Sequence, residues 1–148
     1  MAKTRKAADL NSIIRLVRWT EDERRRALST LLNREEQLEL FGAELGRQME
    51  REAAIAAADP TDAGYTFGAF AADHRKRRER LADTLNALRG EIEEARERLA
   101  LAYRERKVYE EVQGQRQDNE RLEENRLEQI ALDEIAQNQH RRRTRDAG

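Results

Sequence analysis

The sequence predicts an all-α protein, a long two-helix antiparallel coiled-coil hairpin whose second helix is the longer. Three observations predict it. Ala, Leu, Glu, Lys and Arg supply 88 of the 148 residues, the composition of long helices and coiled coils. Apolar residues recur every three or four positions along two extended stretches. Between those stretches lies a single break, AADPTDAGYTFG, Ala57 to Gly68, which holds the only proline and two of the seven glycines.

The first arm is expected over about residues 9–58, where no proline interrupts the chain. Leu10, Ile14, Val17, Leu28, Leu31, Leu38, Leu45 and Met49 fall three, four and seven residues apart and form a heptad stripe. Glu21, Arg24, Glu35 and Gly42 occupy positions on the same seam, so this arm is expected to pack loosely. The break follows, with the turn expected over 59–66. Asp59, Thr61 and Asp62 are turn or cap formers, and Pro60 cannot continue a helix.

The second arm is expected over about residues 67–138. Leu81, Leu85, Leu88, Ile92, Ala95, Leu99, Ala102, Arg106 and Tyr109 step alternately by four and three, the most regular heptad run in the chain. Small Ala95 and Ala102 allow close helix approach there. The pattern weakens around Gly114 to Asn119 and resumes at Leu122, Leu127, Ile130, Ala131 and Ile135, ahead of a basic tail over 139–148. The whole reads as one coiled-coil hairpin domain.

At 1.5 Å per residue the first arm is about 75 Å long and the second about 105 Å. The second therefore overshoots the first, and residues beyond about Gln117 lack intramolecular cover unless arm 1 bends or shifts to reach them. The overhang contains ENRLEQIALDEIAQ, Glu124 to Gln137. Its Leu127, Ile130, Ala131 and Ile135 share one face, while Asn125, Gln129 and Asp133 line up at i+4 spacing on another.

Composition and charge exclude several functions. With 29 basic and 30 acidic groups and a net charge of -1, no overall field draws the protein to nucleic acid or to an anionic membrane. The absence of cysteine removes disulfides and thiolate metal sites and suits a cytoplasmic setting. The N-terminus lacks the apolar core of a secretory signal, and no stretch approaches the ~20 apolar residues that span a bilayer.

Catalytic patterns are missing as well. There is no phosphate-binding GxxxxGK[ST] loop and no HExxH pair, and the two histidines, His74 and His140, are far apart in sequence. Adjacent pairs such as Glu93 and Glu94 diverge by about 100° on a helix and do not converge on one substrate. No catalytic residue, cofactor or metal site is expected. The run HRKRRER, His74 to Arg80, and the triplet Arg141 to Arg143 read as solvated helix faces, since no aromatic residues interleave with them. Trp19 falls off the seam, within reach of Arg15 and Glu23. It is either a partner contact or a ring lying on arginine stems.

The tail and the architecture together resemble the FliJ family, the small coiled-coil component of the flagellar type III export apparatus. The resemblance rests on ENRLEQIALDEIAQ, where an Asn-Arg-x-acid-Gln run precedes Asp-Glu-x-Ala. It is supported by EEQL at Glu35 to Leu38 and by the aromatic-bearing turn that leads into Phe70. It implies a stalk-like hairpin, monomeric and non-enzymatic, at the cytoplasmic side of the inner membrane and membrane-associated only through partners. The implied partners are the hexameric export ATPase, the linker of the export gate membrane protein, and export chaperones.

By the same resemblance, the terminal ends of both helices engage the ATPase ring, including Glu124 to Gln137 with Asn125, Arg126, Gln129 and Asp133; the turn-proximal half faces the gate, with Gln37, Phe41 and Phe70 at positions that match the gate-contact surface. The chain departs from the family pattern at Glu44 and Gln48, where aromatics are expected. Two alternatives stay open: an injectisome stalk homologue, and a scaffolding coiled coil that dimerises through the same stripes. Phe70 is expected to be an exposed anchor, against the alternative that Phe67 and Phe70 plug the hairpin end.

Overall fold

A computed structural model describes the backbone of residues 2–148 and the side chains of residues 10–148. Two helices pack against each other, and no strand is present among the described residues, so the fold is an all-α two-helix hairpin. Helix α1 spans Ala2–Ala58 and helix α2 spans Ala63–Asp146. The second helix, at 84 residues against 57, is the longer, as the heptad lengths require.

The connection is tighter than the sequence suggests. Pro60 supplies no amide hydrogen and biases the residue before it away from helical geometry, so α1 stops at Ala58. Asp59 still donates its backbone N–H to the Ile55 carbonyl at 3.1 Å, and the Thr61 hydroxyl donates to the Asp59 carboxylate at 3.3 Å. Helix α2 then starts at Ala63 rather than near residue 67, absorbing Gly64 and Gly68 into its first turns. At the other end it continues through the basic triplet. Arginine is a good helix former, and Arg143 and Arg145 lie in the last turn, where cations complement the helix dipole.

The chain divides into two compact units, one of Met1–Val17 with Arg104–Gly148, the other of Arg18–Tyr103. In the second unit the seam is built from Leu45, Leu88, Ile92, Ala95 and Ala102, all buried. The pairings run in opposite directions along the two helices. Leu45 lies across from His74, Gly42 across from Leu81, and Glu35 and Glu39 both across from Arg89 at 3.2 and 3.5 Å. The helices are therefore antiparallel.

Two seam expectations are corrected and a third holds. Arg24 is exposed, its long cationic side chain being more stable in water than on an apolar seam. Gly42 is a tight point, not a loose one, because a Cβ there would stand 3.0 Å from Leu81 Cδ2. Glu21, by contrast, does lie inward at 4% exposure, with its charge met by Arg25 at 3.3 Å.

In the other unit Leu10, Ile14 and Val17 are buried, and Gln113 donates to the Asn11 side chain across the two helices. Here the heptad continuation is corrected at Tyr109, which is exposed while Glu110 and Gln113 are half-buried. Glu110 accepts from Arg106 at 3.0 Å, and this ion pair one turn apart lets both charges lie along the seam.

Candidate partner-binding surface

In the unit containing the C-terminus, every side chain from Glu124 to Gly148 is exposed. The apolar face is uncovered: Leu127 is 53%, Ile130 44% and Ile135 54% exposed. Each such half-exposed side chain forgoes roughly half of the about 1.5–3 kcal/mol that full burial contributes. A run of them at helical spacing marks a contact surface more often than scattered exposure does.

The polar row beside it is partly ordered. Gln129 donates to the Asp133 carboxylate at 3.3 Å, and Arg126 forms two hydrogen bonds to Glu123, at 2.7 and 3.1 Å. Those bonds and the neighbouring carboxylate hold the Arg126 guanidinium pKa above its ordinary value. Asn125 stands one turn before Gln129 on the same strip. Asn125, Arg126, Gln129 and Asp133 are thus brought together on one exposed segment.

The other sequence-derived residues are not gathered in the same way. Gln37 and Phe41 are exposed on α1, Phe41 at 52%. Phe70 on α2 is half-buried, with its ring 6.5 Å from Phe67 and 6.0 Å from His74, centroid to centroid. Leu45 and His74 face each other; Phe70 lies four residues from His74 toward the turn and Phe41 four residues from Leu45 away from it. The two phenylalanines are therefore separated by about 12 Å along the axis. Trp19 is 56% exposed.

Glu44, where an aromatic was expected, is instead the centre of a charge cluster. Arg47 and Arg51 each reach it at 2.9 Å. Their hydrogen bonds, Arg47 first and then Arg51, hold its carboxyl below the ordinary range.

Sequence reasoning missed His74. Grouped with HRKRRER as a solvated face, it is in fact 5% exposed, with Nε2 2.8 Å from the Leu45 carbonyl oxygen. The signal was present, since His74, Leu81 and Leu88 are seven residues apart and so share one stripe. Among the described residues no group of three or more His, Cys, Asp or Glu is arranged to hold a metal, and no helix is long and apolar enough to cross a membrane.

A two-helix hairpin with a bare C-terminal helix face is a coiled-coil protein in form. The profile of the family described as Flagellar FliJ protein matches residues 6–145, and the chain belongs to that family. It is accordingly a flagellar export-related protein, from a family not known for enzymes. No curated protein and no solved structure matches the chain.

Proposed function

We propose that this protein is the stalk-like coiled coil of the flagellar type III export apparatus, hydrolysing nothing itself and acting as a monomer in the cytoplasm beside the inner membrane. Its exposed C-terminal segment enters the ring of the hexameric export ATPase through Asn125, Arg126, Gln129 and Asp133. Gln37, Phe41 and Phe70 meet the linker of the export gate membrane protein, and export chaperones are further partners. Membrane association comes only through these partners.

The observation that carries this reading is that every side chain from Glu124 to Gln137 is exposed on a continuous helix. Charges and amides on such a helix suit contact with several subunits that are not equivalent around it. The local bonds of Arg126 and Gln129 reduce the side-chain freedom lost on binding. A single rod inside a sixfold ring also breaks its symmetry, so its contacts can bias ATP-site states from subunit to subunit.

Truncation after Asn119 tests the proposal. The shortened chain should melt at nearly the same temperature, yet lose stimulation of the purified export ATPase. Replacing Asn125, Gln129 and Asp133 together by alanine should weaken ring binding without loss of helix, since alanine raises helix propensity. Normal stimulation by both variants would sink the assignment, and a dimeric mass by light scattering would favour a scaffolding coiled coil instead.

A further inference from the structure

The unit formed by Arg18–Tyr103 carries an open surface pocket of about 380 Å³ that the export reading leaves unused. Its size is that of a small binding pocket. Met49 from α1 and Ala71 and Ala82 from α2 supply apolar walls, and small side chains at the last two positions leave the space open. Arg75 and Arg78 stand at its rim. Neither makes an ion pair among the described residues.

His74 also lines the pocket. A carbonyl can only accept, so Nε2 carries the hydrogen donated to Leu45, and Nδ1 is left as an acceptor. No buried side-chain nitrogen or oxygen among the described residues lacks a hydrogen bond. Nδ1, with no protein partner among the described residues, is therefore reached by solvent.

The pocket lies on a different edge of the hairpin from Phe41 and Phe70. Those two rings immediately precede the seam positions Gly42 and Ala71. Arg75 and Ala82 immediately follow the seam positions His74 and Leu81, as Arg89 follows Leu88. Arg89 pairs with Glu39, which follows Leu38, so this second edge faces its own counterpart on α1.

We propose that this pocket docks an acidic peptide segment of a partner protein, one apolar side chain entering between Met49, Ala71 and Ala82 while flanking carboxylates meet Arg75 and Arg78. Guanidinium groups take carboxylates in charge-assisted, two-pronged hydrogen bonds, and five cations against one acid over Arg75 to Arg80 add an attractive field. His74 Nδ1 accepts a backbone N–H of the peptide. Glu79, also at the rim, disfavours a carboxylate beside it and so confines the peptide's acidic groups to the Arg75 and Arg78 positions.

The test uses fluorescence anisotropy of a labelled synthetic peptide with a single leucine flanked by glutamates and aspartates. Saturable binding should weaken by about tenfold or more when Arg75→Glu and Arg78→Glu are combined. It should weaken similarly on Ala82→Trp, which fills the pocket without altering charge. Arg142→Glu with Arg143→Glu should leave it unchanged. All of these side chains are exposed, and circular dichroism melts confirm folding, with Arg78→Ala as a milder second variant. If Ala82→Trp binds the peptide as tightly as the parent, or if anionic lipid vesicles bind through the same arginines with indifference to Ala82→Trp, the pocket is only part of a basic face and the proposal is overturned.

Discussion

His74 Nε2 lies 2.8 Å from the carbonyl oxygen of Leu45, joining α2 to α1 across 29 positions of sequence. The Leu45 oxygen sits within a helix, where it also serves the backbone, and its second lone pair accepts the imidazole. One polar bond thus helps fix the axial register of two otherwise apolar stripes about three turns from the hairpin connection. His74→Ala should lower the free energy of unfolding by about 2–4 kcal/mol, combining a lost hydrogen bond with a cavity. His140→Ala, at an exposed site, should change it by no more than about 0.5 kcal/mol. Urea titrations of the two variants decide; equal midpoints would show that the bond holds nothing.

Gly42 makes a second register point by shape. Leu81 Cδ2, which a Cβ at Gly42 would approach to 3.0 Å, is the free end of a flexible, half-buried side chain. Gly42→Ala should therefore be nearly neutral, the helix-propensity gain of about 1 kcal/mol offsetting the crowding. Gly42→Leu should cost about 1–3 kcal/mol by overpacking. At Gly90 nothing stands within 4 Å of an added Cβ, and Gly90→Ala should stabilise by about 0.5–1 kcal/mol. Thermal melts showing the same gain for Gly42→Leu as for Gly90→Ala would disprove close packing at Leu81.

The two phenylalanines of the proposed gate contact should behave differently. Phe70→Ala, which removes ring contacts to Phe67 and His74, should cost about 1–2 kcal/mol of stability, given the partial burial of the ring. Phe41→Ala should cost less than about 0.5 kcal/mol. Both should weaken binding to the gate linker, measured by calorimetry. A variant of Phe41 that binds normally removes that residue from the contact.

The Glu44 cluster predicts a titration. In the unfolded chain this carboxyl takes its ordinary value of 4.5, and in the folded chain the Arg47 and Arg51 hydrogen bonds hold it lower. Its contribution to stability is fully present above the unfolded value and is lost as pH falls through the folded one. The Glu44 side chain is 43% exposed and both arginines more so, so the effect is small and salt-sensitive. Carboxyl carbon NMR should place the Glu44 midpoint below the ordinary range, and the Arg47→Ala, Arg51→Ala pair should return it. An unchanged midpoint in that double variant would assign the shift to another cause.

The sequence by itself determined the fold class, the position of the turn and the greater length of the second helix. These follow from local chemistry: heptad periodicity specifies helices with one apolar stripe, and a lone Pro60 among turn formers specifies where they part. It also made the C-terminal segment legible, because Asn125, Gln129 and Asp133 share a strip by spacing alone. Tertiary structure decided what each seam position does. Whether Gly42 is slack or tight depends on Leu81, 39 positions later, and whether His74 is solvated or buried depends on the carbonyl of Leu45. Register between two helices is a long-range property, set by which side chains meet, and single-helix periodicity leaves sliding by a heptad nearly degenerate. The partnering of His74 with Leu45 and of Arg89 with Glu35 and Glu39 removes that degeneracy.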